Sequence, residues 1–222
     1  MIEQPWIREI DINPLLAAGR QLIALDARIV LHPYGMSESD LPKSAIRPYP
    51  SQYVRTCRAK DGTAMLIRPI RPEDEPMMVC FHQTLSDQSV HNRYFYLIQV
   101  GQRIAHERLI RNCFIDYDRE MALVIENGEG DSRWIIAVGR IVKVHSANEA
   151  EIAVIVSDAF QNLGLGTQLV RLLMDIAHQE KVGRLFATVL PENRAMQQVF
   201  SNLGFDLHYS RDDATVVAEL VL

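Results

Sequence analysis

A glycine-bearing turn between a strand pattern and a helix pattern is the segment of this sequence best suited to chemistry. Before it, Ile152, Val154 and Val156 recur at every second position, which predicts a strand. In the turn, Gly164 and Gly166 allow a phosphate to approach the backbone closely. The first N–H groups of the following helix, together with its dipole, face such a charge favourably. The turn therefore predicts an anion site that suits a diphosphate.

The helix after this turn carries one apolar stripe, which predicts a buried face over residues 164–180. The stripe consists of Leu165, Leu169, Leu172, Leu173 and Ile176. Two familiar phosphate-binding motifs do not match, because the third glycine of a Rossmann turn and the Gly-Lys-Ser/Thr of a Walker loop are missing. An ordinary strand-to-helix turn without a ligand remains the alternative interpretation.

A second strand and helix follow directly. Residues 184–190 predict a short buried strand, and Pro191-Glu192-Asn193 begins a helix that Gly204 ends. Asn193 stands where a side chain caps the first free N–H groups of a helix. Capping and ligand binding are both open to this asparagine.

The strand, the Gln-x-x-Gly-x-Gly turn and the helix together resemble the acetyl-CoA signature of the GNAT superfamily of N-acetyltransferases. Asn193, followed eleven residues later by Gly-Phe, is similar to the far side of the cofactor site in that family. The resemblance covers about residues 63–222. It implies an α/β (α+β) GNAT acyl-CoA N-acyltransferase fold, with a mixed, mostly antiparallel central sheet flanked by helices, and acetyl-CoA as the co-substrate.

The same resemblance implies which residues hold acetyl-CoA and which deprotonate the acceptor. The cofactor residues are Val154, Val156, Gln161, Leu163, Gly164, Leu165, Gly166, Thr167 and Asn193. In Pat-like members the base is the Glu of an Ala-Glu-hydrophobic-Ala stretch, which Ala150-Glu151-Ile152-Ala153 matches, so we expect Glu151 to be catalytic. Glu149 is the second candidate, and solubility charges on an edge strand are the alternative for both. Many relatives place a tyrosine acid at the position of Phe200.

The chain divides into three regions. Residues 1–32 contain two strand-like runs around a turn at Gly19, which predicts a β-hairpin. Residues 33–62 carry four prolines in polar surroundings, which predicts a linker. From residue 63 onward, strand and helix patterns alternate to the end, which predicts the acetyltransferase domain.

The first region resembles the final hairpin of an ATP-grasp domain of the NDP-forming acyl-CoA synthetase type. In such domains the residues matching Asp11 and Asn13 help to hold magnesium beside a nucleotide. Because only about thirty residues are present, we expect a remnant without nucleotide binding. The combination with a GNAT domain is similar to the C-terminal part of Pat-type bacterial protein lysine acetyltransferases, so the chain is expected to be a shortened relative or a piece of one.

Composition narrows the partners. The 222 residues are 48% hydrophobic with a net charge of −5, which favours a packed core and no general attraction to nucleic acid or anionic membranes. Cys57, Cys80 and Cys113 are widely spaced, and His82, His106 and His145 have no metal-ligand spacing, so no disulfide and no metal site is expected. Lacking a long apolar run or leader, the protein is expected to be cytoplasmic.

These patterns favour one function and leave two others open. The first is acetyl transfer from acetyl-CoA to lysine side chains of target proteins, acyl-CoA synthetases being the targets that the resemblance implies, by direct attack with Glu151 as general base. The alternatives are acetylation of small-molecule amines and a non-catalytic acyl-CoA-sensing module. Neither the acceptor nor the oligomeric state follows from the sequence.

Overall fold

A computed structural model divides the chain into two compact units, Met1–Pro48 and Tyr49–Leu222. The structure describes residues 4, 6–19, 21–37, 40–42, 48–128, 130–144, 147–211 and 213–222. His145, one of the three histidines considered above, lies outside these residues. The two units are described separately below.

The first unit consists of two antiparallel strand pairs. Its strands are β1 (Ile7–Ile12), β2 (Leu15–Ala18), β3 (Gln21–Ala24) and β4 (Ala27–Leu31). β1 pairs with β4, and β2 pairs with β3 around a turn in which Gly19 has a φ of 61°. Glycine adopts this left-handed conformation without the steric cost that other residues meet. The predicted β-hairpin is confirmed. It consists of an inner pair of strands, β2 and β3, and an outer pair, β1 and β4.

The second unit is built on one eight-stranded sheet. Its strands are β5 (Arg55–Arg58), β6 (Ala64–Pro69), β7 (Glu120–Asn127), β8 (Trp134–Lys143), β9 (Glu149–Val156), β10 (Arg184–Val189), β11 (Asp206–Ser210) and β12 (Thr215–Val221). The order across the sheet is β11-β12-β10-β9-β8-β7-β6-β5. Only β9 and β10 are parallel, and the other neighbours are antiparallel. The predicted mixed, mostly antiparallel sheet is confirmed.

Helices cover both faces of this sheet. They are α1 (Glu75–Gln83), α2 (Asp87–Tyr94), α3 (Val100–Arg103), α4 (His106–Cys113), α5 (Leu165–Gln179) and α6 (Arg194–Asn202). One apolar core lies under α5 and α6, and a second lies under α1, α2 and α4. The predicted stripe of α5 is fully buried in the first core, as its 3.6-residue period requires. Strand β9 contributes to both cores, so its two faces lead to two different environments.

The predicted linker 33–62 contains structure that its composition hides. Strand β5 pairs with β6 at the edge of the sheet, and Tyr53 and Cys57 are buried in the core. Only Cys57 of this short strand is buried and the other three residues are polar, so the prolines dominate the pattern. The part of the prediction that covers β5 is wrong, because the second unit already begins at Tyr49.

Candidate active site

The site is organised by a fork between β9 and β10. These parallel strands pair only at their first three residues, and the last pair joins Glu151 to Phe186. Beyond Glu151, β9 continues to Val156 while paired with β8 alone. Because β9 lies inside the sheet, the interpretation of its carboxylates as edge-strand solubility charges is wrong. The fork exposes one side of a central strand, where a ligand can pair with its backbone.

Backbone directions in β9 can be followed from its flanking hydrogen bonds. Ser157 donates its N–H to Ile136 O at 2.8 Å, and Val144 donates to Glu149 O at 2.9 Å, so odd-numbered residues bond toward β8. Peptide groups in a strand alternate in direction. Val154 and Val156 therefore direct their N–H and C=O groups into the fork, which is the arrangement that binding of an extended amide chain requires.

The predicted anion site lies at the open end of this fork. Gly164 has a φ of 81° and caps α5, so the chain turns sharply into the helix. Gln168 N–H, at 3.2 Å from Gly164 O, is the first to bond back within the helix. The N–H groups of Leu165, Gly166 and Thr167 precede it and have no intrahelical acceptor. These three donors and the helix dipole face the groove, and they fit the diphosphate of a CoA molecule.

Eight of the nine predicted cofactor residues line a single groove of about 380 Å³. Leu163 is the exception: it does not line the groove, and its carbonyl accepts a hydrogen bond from Lys60 N–H at 3.0 Å. Lys60 itself lines the groove, and its side chain lies beside Gly164. The sequence missed this lysine because it falls inside the predicted linker.

Gln161 holds the turn in place by its side-chain amide. Its Nε2 donates to Ser89 Oγ at 2.9 Å and to Val156 O at 3.2 Å. The carbonyl of Val156, which was expected to bind the cofactor, is therefore already bonded, while its N–H still faces the fork. This geometry indicates that Gln161 positions the turn against α2.

A second contact between the turn and α2 passes through Asp158. Its carboxylate accepts from Ser86 N–H at 2.9 Å, Ser86 Oγ–H at 2.6 Å and Ser89 Oγ–H at 2.9 Å. Burial tends to raise the pKa of Asp158, but these hydrogen bonds outweigh burial and lower the pKa. The carboxylate therefore stays charged and ties the start of α2 to the loop before α5. Nothing in the local sequence pattern indicates this contact.

Asn193 caps α6 on the far side of the groove, and Phe200 lies within that helix. The Asn193 side chain accepts from Met196 N–H at 3.3 Å, so it caps the helix, and it also lines the groove. Phe200 is buried and packs edge-to-face on Phe205, with ring centroids 5.0 Å apart. A phenyl ring has no proton to donate, so this position supplies no acid.

The two candidate bases have different surroundings. Glu149 accepts from Arg184 Nη2–H at 2.6 Å, a bond that lowers the pKa of Glu149 and makes its carboxylate a weaker base. Glu151 is exposed, stands at the branch point of the fork and lines a cavity of about 30 Å³ together with Arg93, Phe95 and Asn193. Of the two, only Glu151 is free of an ion pair within the described residues.

Arg93 is the residue that connects the parts of the site. It lines the cofactor groove, the small cavity at Glu151 and a third cavity under α1. Burial lowers its pKa, and the charge of Glu151 acts in the opposite direction. Beside it, the chain places Tyr94 half-buried, whereas Phe95 and Tyr96 are exposed.

The part of the chain that the structure describes offers no cluster of metal ligands. No group of three or more His, Cys, Asp or Glu side chains there could hold a metal ion. No helix among the described residues is long and apolar enough to span a membrane. The three cysteines are free thiols, and Cys57 and Cys113 are buried.

Comparison with known proteins identifies the class to which this fold and site belong. The model of the acetyltransferase (GNAT) domain family matches residues 64–206, and an ATP-grasp domain model matches residues 1–31. The chain belongs to the GNAT family. It is accordingly an acetyl-CoA-dependent N-acetyltransferase, and the fork, the free amide donors and the glycine turn fit that co-substrate.

Individual relatives are acetyltransferases as well. The chain is 31% identical over 157 residues to "Acetyltransferase PA5475" of Pseudomonas aeruginosa, covering 71% of this chain and 83% of the relative. It is also 31% identical over 173 residues to "Acetyltransferase Pat" of Mycolicibacterium smegmatis, covering 78% of this chain but only 48% of that protein. The crystal structure of the GNAT domain of S. lividans PAT superposes with a TM-score of 0.70 at 27% identity, covering 78% of this chain and 99% of that one.

Proposed function

We propose that this protein acetylates lysine side chains of target proteins, with Glu151 as the general base. The observation that carries the proposal is the position of Glu151 at the branch point of the fork, between the cofactor groove and the cavities under α1 and α2. The chain spans about half the length of the M. smegmatis Pat acetyltransferase. The similarity to Pat acetyltransferases supports a protein substrate, and acyl-CoA synthetases are the first class of protein to test.

The need for a base follows from the chemistry of the acceptor. A lysine amine has an ordinary pKa of about 10.4, so only about one in a thousand is unprotonated at neutral pH. Bound acetyl-CoA supplies an acetyl thioester. Glu151 accepts the proton that the acceptor nitrogen loses, while backbone groups of Val154 and Val156 fix the donor in the fork. Glu149 is already engaged by Arg184 and is left out of the reaction.

Release of the thiolate proceeds in this proposal without an acid from α6. Phe200 occupies the position at which the family resemblance suggests a tyrosine, and its ring is buried. Because a thiolate is a tolerable leaving group, removal of the amine proton is the step in which the protein contributes most. A large rate loss is therefore expected when the base is removed, and no gain is expected when a hydroxyl is restored at position 200.

Replacing Glu151 by Gln tests the base directly. Turnover of acetyl-CoA with a lysine-bearing acyl-CoA synthetase should fall by about 10²–10⁴-fold, because general base catalysis contributes that much. The remaining rate should rise with pH toward about 10.4, following the unprotonated amine. CoA release followed from about pH 6 to about pH 10 gives both results.

Glu149→Gln is the matched control, since it removes a carboxylate on the same strand face two residues away. This control should keep most of the activity and its pH profile. Equal losses in the two variants, or full activity of Glu151→Gln, would contradict the role of Glu151. Acetyl-CoA affinity, measured by titration calorimetry, should be unchanged in both variants and confirms that they are folded.

The acceptor class needs its own experiment. A panel of polyamines, amino acids and aminoglycosides, assayed beside synthetase proteins, distinguishes protein acetylation from the alternative of small-amine acetylation. We also propose that the protein is cytoplasmic and that its cysteines stay reduced there. We further propose that residues 1–32 are an ATP-grasp remnant that does not bind a nucleotide. Calorimetry with ATP and magnesium should then show no heat of binding.

A further inference from the structure

A cavity of about 100 Å³ lies under α1 and α2, next to the branch point of the fork. It shares Arg93 and Ala153 with the cavity at Glu151, so it adjoins the site of deprotonation. Its wall includes the ring of His82, which is only 1% exposed. Neither ring nitrogen of His82 has a hydrogen-bond partner among the described residues. Buried polar atoms are normally paired, so these nitrogens are available to hydrogen-bond with a group that enters the cavity.

The charged groups that shift the pKa of His82 are all cations. Arg103, Arg108 and Arg140 each act on the imidazole, and together with burial they lower the pKa of His82 to about 4. Arg103 is 1% exposed, and the Nε atoms of Arg103 and Arg108 have no partner within the described ranges. Arg140 is compensated by the carboxylate of Glu120 at 3.0 Å. Arg103 is buried while Arg108 and Arg140 are half-buried, and the positive charge that remains uncompensated favours an anion beside His82.

The size and shape of the cavity select among anions. At about 100 Å³ the cavity is much smaller than the cofactor groove of about 380 Å³, which favours a small anion such as a carboxylate group. Guanidinium groups also pair with carboxylates in a planar, two-bonded geometry. Arg93, which lines the cavity, stacks at 5.0 Å on Tyr94, and Arg108 stacks at the same distance on that ring.

We propose that this cavity binds a carboxylate of the acceptor, with His82 donating a hydrogen bond and the surrounding arginines supplying the charge. The proposal rests on the proposed function for the identity of the acceptor, but not for the binding of the anion itself. On a protein substrate the carboxylate is an Asp or Glu side chain near the target lysine. The same chemistry would also accept a free carboxylic acid, and the two sources can be separated by experiment.

The binding test uses the full chain and needs no activity. Acetate and glutarate, at about tenfold their dissociation constants and constant ionic strength, should raise Tm by about 4 °C. Acetamide should not, and inorganic phosphate should raise it less. In His82→Leu the shift should disappear without loss of the fold, because leucine fills the space and leaves no unpaired ring nitrogen. His82→Gln keeps an N–H donor and should keep part of the shift.

Arg55→Met is the matched surface control, since Arg55 pairs with Asp175 at 3.5 Å in an exposed position. It should respond to carboxylates as the wild type does. The absence of a shift in the wild type, or an equal shift in His82→Leu, overturns the carboxylate site. Either outcome holds even if no lysine acceptor is ever acetylated, so the test is independent of the proposed function.

Kinetics then identify the source of the carboxylate. For lysine peptides with Glu near the target, the wild-type KM should be about tenfold lower than for the same peptides with Gln, and this preference should vanish in His82→Leu while kcat is kept. Competition between glutarate and the Glu peptide supports a substrate side chain. Binding of glutarate without competition, and without a preference for Glu, overturns the acceptor role in favour of a free acid.

Discussion

The two sides of the β9 fork are built in different ways. The side toward α5 consists of backbone groups, namely the N–H groups at the start of the helix and the peptide groups of Val154 and Val156. The side toward α1 and α2 consists of side chains, with Glu151 and His82 from different elements and Arg93 between them. The side toward α5 is suited to bind a ligand through backbone geometry, and the side toward α1 and α2 through particular side chains.

This difference separates the two substrates of the enzyme. A backbone site recognises what every acetyl-CoA molecule has in common, namely a diphosphate and an amide chain. It requires of the sequence only glycines that let the phosphate approach the backbone closely. A side-chain site can change with a few substitutions while the fold stays the same. In the proposed function, donor binding is therefore a property of the fold, whereas acceptor choice depends on the particular residues under α1 and α2.

Gly166→Asp should give the largest effect on the donor side. A Cβ at this position has only Val156 Cγ2 within 4.0 Å, so the new side chain is sterically accepted in the lining of the groove. Its carboxylate would bond the free N–H groups of α5 and repel the diphosphate, a cost of several kcal/mol. The KM for acetyl-CoA should rise by about 100-fold or more.

Gly166→Ala is the control for this variant because it adds the same Cβ without charge. Its KM should stay within about fivefold of the wild type, and its thermal stability should not fall, since alanine is a better helix former than glycine. Equal KM values for the Ala and Asp variants would show that the helix start does not contact the diphosphate. The carboxylate-induced Tm shift should be unaffected in both, because that site belongs to the other side.

The donor side could be predicted from sequence because its parts are contiguous. The strand, the turn and the stripe of α5 follow one another along the chain, and each has its own period or glycine signal. The structure places eight of the nine predicted residues in one groove. Lys60 was missed because it lies in a hairpin much earlier in the chain, and local sequence patterns do not indicate contacts between residues so far apart in sequence.

Most of the acceptor side could not be predicted, because its residues are not contiguous in the chain. His82, Arg93 and Arg140 lie on three different elements, and only the packing of α1 and α2 on the sheet brings them together. Each alone suggests an ordinary residue: a histidine on a helix, an arginine beside aromatic residues, an arginine in a strand. Glu151 was selected by resemblance, whereas the engagement of Glu149 by Arg184 required the fold.

The buried imidazole also gives the acceptor side a pH dependence that the donor side lacks. The pKa of His82 is about 4 in the folded protein and near 6.5 when unfolded, so the unfolded chain binds the extra proton between these values. Stability should therefore fall as pH drops through this window. From about pH 7 to about pH 5, urea unfolding should show a loss of about 2 kcal/mol in the wild type beyond that in His82→Leu.

The charges that act on His82 come from Arg103, Arg108 and Arg140. His106→Gln is the opposite control: a hydrogen bond from His106 to Glu75 raises the pKa of His106, so protonation stabilises the folded state there. Compared with that variant, the wild type should gain stability as pH falls. Parallel pH profiles for the wild type and His82→Leu would contradict a buried neutral imidazole.

Lys60→Met should have the smallest effect, on the donor side. The lysine stem lies 3.5 Å from the position of a Cβ on Gly164, which brings its charge to the edge of the anion site. An exposed cation of this kind contributes about 1 kcal/mol, so the KM for acetyl-CoA should rise about fivefold, and less at high salt. Lys60→Arg should retain the wild-type KM.

The analogue acetyl-dephospho-CoA, which lacks the 3′-phosphate, shows which phosphate Lys60 serves. Because the lysine lies beside Gly164, at the first turn of α5, the difference in KM between Lys60→Met and the wild type should persist with this analogue. Its disappearance would assign the lysine to the 3′-phosphate, and an unchanged KM with both donors would remove it from the site. If the KM difference persists with the analogue, the donor side consists of backbone groups and one added charge. Its composition then still differs from that of the arginine-rich side of β9 that faces α1 and α2.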